Sequence, residues 1–416
     1  MIRADLLVTE IAEVATLAGG PVPRTGAAMA RLGLVRDAEI AVAAGRVVWV
    51  GPARHRARSV RLAPRGREVS AGGGVVVPGL VDAHTHALFA GDRAFELPLR
   101  AAGATYAEIA RRGGGLYATV RATRSAGAAR LLRESADRLA RMAANGTTSV
   151  EVKSGYALTV EGELALLALV PRLAERTGLA IVPTFLGAHA VPPEYAGRPD
   201  AYVDLLVHLA LPAVVREGRA RFCDVFCEPG FFTPRQSARL LSAARALGLG
   251  VKVHADEFVR SGGARLAARI GATSADHLLA STASDRRALA AAGVTAVLLP
   301  ATALASPRRR VPGREMVASG VAVALGTDCS PNSWVESMPL VLTLAVHAGG
   351  LSPAEALTAG TVNAAHAIGL EGAGRIVPGA SADLAVFPFA SVDQIGYRFD
   401  ARPTAVYRQG KRISPP

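Results

Sequence analysis

Between residues 75 and 326 one pattern repeats eight times: a short apolar run of strand character, then an amphipathic stretch of helical character. The runs are 75–84, 148–153, 180–186, 222–228, 250–254, 273–277, 295–299 and 321–326. Runs apolar on both faces belong to parallel sheets with helices covering both sides. Eight such alternations in the roughly 290 residues from about Val77 to Gly369 match the arithmetic of a (β/α)8 TIM barrel. A helix start supports this: Thr233 stands as an N-cap before Pro234, and that helix is expected to end near Gly248.

The polar residues keep phase with the strands. Every run but the seventh closes on a side chain capable of chemistry: His84 and His86, Lys153, His189, Glu228, His254, His277 and Asp328. In a barrel the C-terminal strand ends converge on one mouth, where active sites sit. Histidines scattered through a core would not hold that phase.

The flanks have another texture. Alternating runs 40–42 and 47–50 are joined by Ala44-Gly45, and runs 382–386 and 404–407 return to the same pattern, the last followed by Gln409-Gly410. These are hairpin signals. They imply a small β-sandwich domain built from 1–75 together with 370–416, and a barrel over 76–369.

With 50% hydrophobic and 19% charged residues, the chain carries a large core and is not disordered. The net charge of +13 does not imply nucleic acid: 44 of the 47 basic residues are arginines spread along the chain. The clusters 54–58 and Arg308-Arg309-Arg310 lack the interleaved aromatic residues that stack on bases. Three cysteines, Cys223, Cys227 and Cys329, are too few for a disulfide framework and suit a reducing compartment. Cys223 and Cys227 share a strand face and are expected to pack in the core or lumen. Arg3, Asp5, Glu10 and Glu13 break any signal-peptide core, and the uncharged run 288–306 reads as a helix end, a turn and a strand. A cytoplasmic protein with a small-molecule substrate, and neither membrane nor nucleic acid as partner, is expected.

The first run continues as Asp82-Ala83-His84-Thr85-His86. Residues two apart on a strand share a face, so His84 and His86 can present two imidazoles to one ion, although such a pair also occurs as an ordinary polar strand end. His254 and Asp328, each closing another run, add a third imidazole and a carboxylate. Three nitrogens and one oxygen suit a single hydrolytic Zn2+ or Fe3+ ion per chain. Glu257, three residues beyond His254, is placed to take a proton from water and pass it to a leaving nitrogen; its other reading is an exposed loop carboxylate. Asp328 is the next candidate for that base. His277 can polarise a carbonyl or steady an oxyanion, or be a core histidine.

These motifs resemble the amidohydrolase superfamily and, more narrowly, its imidazolonepropionase family. The narrower resemblance is carried by 78–86, Arg93 with Glu96, 105–123 with Gly113-Gly114-Gly115, Glu151-Val152-Lys153-Ser154-Gly155-Tyr156, Thr184-Phe185-Leu186-Gly187-Ala188-His189, 223–228 and 254–258. It implies His84, His86, His254 and Asp328 as metal ligands and Glu257 with His277 as the catalytic pair. It implies that Arg93, Tyr156, His189 and Glu257 contact the substrate, a guanidinium suiting a propionate carboxylate. The implied reaction opens 4-imidazolone-5-propanoate to N-formimidoyl-L-glutamate in histidine degradation, and the resemblance admits a homodimer.

One block departs from the family. After the metal aspartate the family has Phe or Leu and then Asn-Pro-Gly-Ser, whereas here Cys329-Ser330-Pro331-Asn332-Ser333 follows. Ser330 stands for the asparagine and Asn332 for the glycine, while Ser333 keeps its place; all three are expected at the substrate. The run Gly113-Gly114-Gly115 lacks a phosphate-loop context and reads as a mobile loop over the mouth. Two other enzymatic readings stay open. A deaminase of a guanine-like or cytosine-like ring would use the same ligands and glutamate, with less need of an arginine for an acidic tail. A two-metal hydrolase would use Lys153 as a carboxylated bridge.

Overall fold

In the computed structural model, which describes residues 1–306 and 310–414 and follows 106, 107 and 110 by backbone only, the eight runs form eight parallel strands. In chain order they are Leu80–Asp82, Thr147–Lys153, Ala180–Ala188, Phe222–Cys227, Gly250–Ala255, Ser274–His277, Thr295–Leu298 and Val323–Leu325, each hydrogen-bonded to the next. The seam between the first and eighth closes through Ala83 N to Leu325 O at 3.2 Å, Asp328 N to His84 O at 3.0 Å and His86 N to Cys329 O at 3.0 Å. Asp82 fastens that seam, accepting from the Thr327 hydroxyl at 2.6 Å and from the Thr327 amide at 2.9 Å. Gly326 is needed here, because a Cβ would stand 2.9 Å from His84 N.

The expected single run 75–84 is two strands. Val75–Pro78 belongs to the terminal sheet, and only Leu80–Asp82 enters the barrel. Gly79 makes the crossing, since a Cβ there would meet the Thr148 hydroxyl at 2.2 Å. The helix after the fourth strand runs Pro234–Ala246 with a Thr233/Gln236 capping box, as its start signals imply. The run 288–306 becomes the end of Ala283–Ala291, the strand Thr295–Leu298 and an unexpected helix, Pro300–Ala305. Among the described residues no helix is long and apolar enough to cross a membrane. Arg308 and Arg309 of the basic cluster lie outside the described residues.

The terminal segments share one mixed sheet of eight strands. Ile2–Ala15 is its spine, pairing antiparallel with Leu34–Ala43 and parallel with Val60–Ser70 and Val75–Pro78, while Leu384–Phe387 extends the sheet beyond Val75–Pro78. A bridge between Arg46 and Ser381 ties the far hairpin back, folding the sheet over a core that includes Leu6, Ile40, Val76 and Leu384. Both hairpin turns use successive positive φ values, Ala44-Gly45 and Gln409-Gly410, the two-residue geometry that matches strand twist.

The barrel lumen is layered. Val81, Val182, Phe222, Val297 and Ala324 close its lower end against Ala364 and Ile368. Above them lie Glu151, Lys153, Asp224, Lys252 and Asp276, all fully buried. Cys223, Val225 and Cys227 face the helices, so the two cysteines are core residues, and burial pushes both thiols up.

Candidate active site

The closed seam places His84 and His86 beside Asp328, and the fifth strand brings His254 to the same point. His86 Nε2 lies 3.3 Å from the Nε2 atoms of both His84 and His254, and Asp328 Oδ1 lies 3.6 and 3.4 Å from those of His84 and His86. Two atoms bound about 2.0 Å from one ion at a tetrahedral angle are about 3.3 Å apart. The donor spacing thus fits one small cation. Burial, with the neighbouring cationic groups second, holds His84 and His86 neutral, which leaves their lone pairs available.

The opposite edges of the His84 and His254 rings face carboxylates. His84 Nδ1 lies 2.6 Å from Asp276 Oδ2, and His254 Nδ1 lies 3.0 Å from Asp224 Oδ2. Asp276 accepts a hydrogen bond from His84 Nδ1–H, and Asp224 stands behind His254 as a nearby carboxylate; both favour the tautomer that leaves Nε2 directed to the shared point. Asp328 is fixed likewise, its Oδ2 accepting from the Thr302 hydroxyl at 2.7 Å.

Lys153 lies under this site. Its Nζ is 2.7 Å from Glu151 Oε2 and 2.8 Å from Asp224 Oδ2. Burial alone would strip its proton, but Asp224, Glu151 and Asp276 hold it as an ammonium. A carboxylated lysine would be an anion among those carboxylates, so the bridge of a two-metal hydrolase is not built here. A second ligand-like cluster, His84, Glu151 and Asp276, already surrounds the lysine cation.

Glu257 is buried, and its carboxyl is pushed well above the usual range by burial and by the nearby Asp328 and Glu228. Its Oε2 stands 3.6 Å from His277 Nε2. The loop is held from both sides: Glu228 accepts the amides of Glu257 at 3.1 Å and Val259 at 2.8 Å, and Asp256 Oδ1 accepts those of Ser261 at 2.8 Å and Gly262 at 3.0 Å. Glu228, expected as a reactive strand end, is therefore a brace. Asp256, His277 and Asp328 have φ values of 51°, 72° and 52°, strained for residues with a Cβ and concentrated where side chains must be aimed.

A cavity of about 560 Å3 opens over these groups, lined by His86, His254, Glu257, His277 and Asp328 at one end and by Arg93, Arg100 and Asn332 elsewhere. Tyr156, His189 and Ser330 also line it, whereas His84 and Ser333 do not. His189 Nδ1 donates to Gly155 O at 3.0 Å, leaving Nε2 as an acceptor, and the ring stacks on His86 at 4.9 Å. Ser330 Oγ accepts the Ser333 amide at 3.2 Å, so these two serines shape the turn after Asp328.

Arg93 differs from a free guanidinium. Its Nε and Nη2 donate to Glu96 Oε1 and Oε2 at 2.7 and 2.9 Å, and Glu96 also accepts from Arg100 at 2.7 Å and from the Gly115 amide at 2.7 Å. That last bond ties down the glycine run expected to be mobile. Asp224, Asp276, Thr302, Arg100 and Glu96 went unassigned in the sequence reading. The chain carries a signal for three of them: Asp224 is a charge inside an apolar strand, and Glu96 with Arg100 is an i,i+4 pair.

Residues 75–413 match the amidohydrolase family. The chain is 47% identical over 416 residues to the imidazolonepropionase of Symbiobacterium thermophilum, covering 98% of this chain and 97% of the relative. It is 44% identical over 414 residues to that of Geobacillus kaustophilus, with 98% and 97% covered. Among solved structures it is similar to an adenosine deaminase from Xanthomonas campestris with bound zinc (TM-score 0.70, 22% identity, 99% and 93% covered). It is also similar to A. niger ochratoxinase (TM-score 0.69, 19% identity, 99% and 96% covered).

Proposed function

The chain belongs to the imidazolonepropionase family of amidohydrolases, and from that premise we propose that it hydrolyses 4-imidazolone-5-propanoate to N-formimidoyl-L-glutamate, a step of histidine degradation. The observation that carries the reading is one cavity with the His84, His86 and His254 cluster and Asp328 at one end and an arginine pair on its wall. A neutral amino-heterocycle has no use for those arginines, which places the deaminase reading second.

His84, His86, His254 and Asp328 would hold one Zn2+ or Fe3+ ion per chain. When bound, such an ion polarises a carbonyl and lowers the pKa of water. Glu257 takes a proton from the attacking water, and its raised pKa suits it to keep that proton until the ring nitrogen leaves. The water oxygen adds to the ring carbonyl carbon, the bond from that carbon to the ring nitrogen breaks, and Glu257 returns the proton to the nitrogen. His277 faces Glu257 and steadies the carbonyl oxygen as charge develops. His189 Nε2 accepts a ring N–H, and Tyr156 packs against His86 and His189. Arg93 faces the propionate, Ser330 and Asn332 form the rim, and Ser333 supports Ser330 from outside the cavity.

In this reading the barrel within 76–369 carries the chemistry, and 1–75 with 370–416 form the small domain, which also takes in the strand Val75–Pro78. Three free, buried cysteines suit the reducing cytoplasm. Metal-loaded protein should contain about one ion per chain, consume 4-imidazolone-5-propanoate and yield N-formimidoyl-L-glutamate. Ammonia release from an amino-heterocycle, without action on the imidazolone, would overturn the proposal.

A further inference from the structure

The charge count at the wall of the cavity points to a residue beyond Arg93. Arg93 gives two donors of its fork to the fully buried Glu96, and that pair alone is neutral. Arg100 adds a second guanidinium to the same carboxylate, so the triad carries one net positive charge. Arg100 lines the cavity with its side chain 30% exposed. Its Nη2 is shared between Glu96 and Asn332 Oδ1, each at 2.7 Å, and among the described residues Nε and Nη1 have no protein acceptor. Asn332 lies 232 positions along the chain, in the turn after Asp328.

We propose that Arg100 is a second carboxylate-recognising residue of the cavity and that Asn332 holds it there. The ligand class is a small heterocycle bearing a carboxylate arm. Glu96 orients both guanidiniums, Arg93 through its fork and Arg100 through Nη2, which leaves Nε and Nη1 of Arg100, on separate edges of the fork, for single charge-assisted bonds to a carboxylate. The proposal deepens the function proposed above and rests on it for the acidic arm of the substrate.

The test uses metal-loaded protein and two unreactive probes of nearly equal shape, 3-(imidazol-4-yl)propionate and its amide, with binding read by calorimetry. Arg100→Gln should weaken the propionate by about tenfold or more relative to the amide, the worth of a charge-assisted pair. Asn332→Gly, which loses only the acceptor that positions Arg100, should lower the same ratio by a smaller factor. Equal weakening of both probes, or no change in the ratio, would overturn the proposal. Should Arg100→Gln fail to fold, the Asn332→Gly ratio decides alone. Turnover is measured separately, so inactivity on 4-imidazolone-5-propanoate counts against the proposed reaction, and an unchanged ratio counts against Arg100.

Discussion

The ammonium of Lys153 lies 2.8 Å from Asp224 Oδ2, the same oxygen that faces His254 Nδ1 at 3.0 Å. One carboxylate thus joins a buried cation to an imidazole of the candidate metal site. Lys153 reaches His84 in the same way, more loosely, through Asp276 Oδ2 at 3.8 Å. The buried ionic layer is the support of the ligand layer above it.

That support has a measurable value. Asp224→Asn keeps the shape but removes the charge behind His254, and should weaken metal affinity by about 10- to 100-fold, the usual effect of losing a partner behind a ligand. Competition against a chelator of known affinity checks this. Unaltered affinity would mean that packing alone orients the ring.

Glu257→Gln leaves the loop bonds from Glu228 and Asp256 in place and removes the proton acceptor. Turnover should fall by at least roughly 100-fold, with metal content and melting temperature unchanged. Near-normal turnover would pass the role to Asp328.

Arg93→Ala should raise KM for the acidic imidazolone by roughly ten- to 150-fold and affect a neutral ring analogue far less. Glu96 keeps Arg100 and the Gly115 amide, so the wall retains two of its bonds. Equal losses on both substrates would make Arg93 a purely structural partner of Glu96.

Asp285 caps helix Ala283–Ala291 and pairs with Arg260 and Arg265. The Arg260 bond leads, and with Thr282 and Arg265 it outweighs burial, holding the carboxyl well below the usual range. A depressed folded-state pKa gives stability that is present above the ordinary carboxylate value of about 4 and is lost as pH falls below it. Asp285→Asn should therefore cost about 1 kcal/mol at neutral pH and progressively less from pH 4 downward. Thermal melts across that range report it, and a constant deficit down to pH 2 would refute it.

Much of this site is legible in the chain. Period-two spacing puts His84 and His86 on one side, and a strand end places His254, His277 and Asp328 at the mouth whatever the loops do. Lys153 and Glu228 obey the same phase yet serve as supports, because phase says where a side chain starts and not what meets it. The strand 75–84 misled for a related reason: an unbroken apolar run does not reveal that Gly79 passes the chain from one sheet to another, which depends on how closely Thr148 approaches.

The sequence by itself determined the eightfold strand and helix order and the strand-end positions of His84, His86, His254, His277 and Asp328, since each follows from local periodicity and from the common direction of parallel strands. Only the tertiary structure decided the partners. Asp224 meets His254 through the register of the adjacent fourth and fifth strands and Lys153 from two strands away, and Arg100 meets Asn332 across 232 residues through the approach of helix Glu96–Ala101 to the turn after Asp328. Such pairings are set by packing between distant elements, to which no local pattern of side chains is tied.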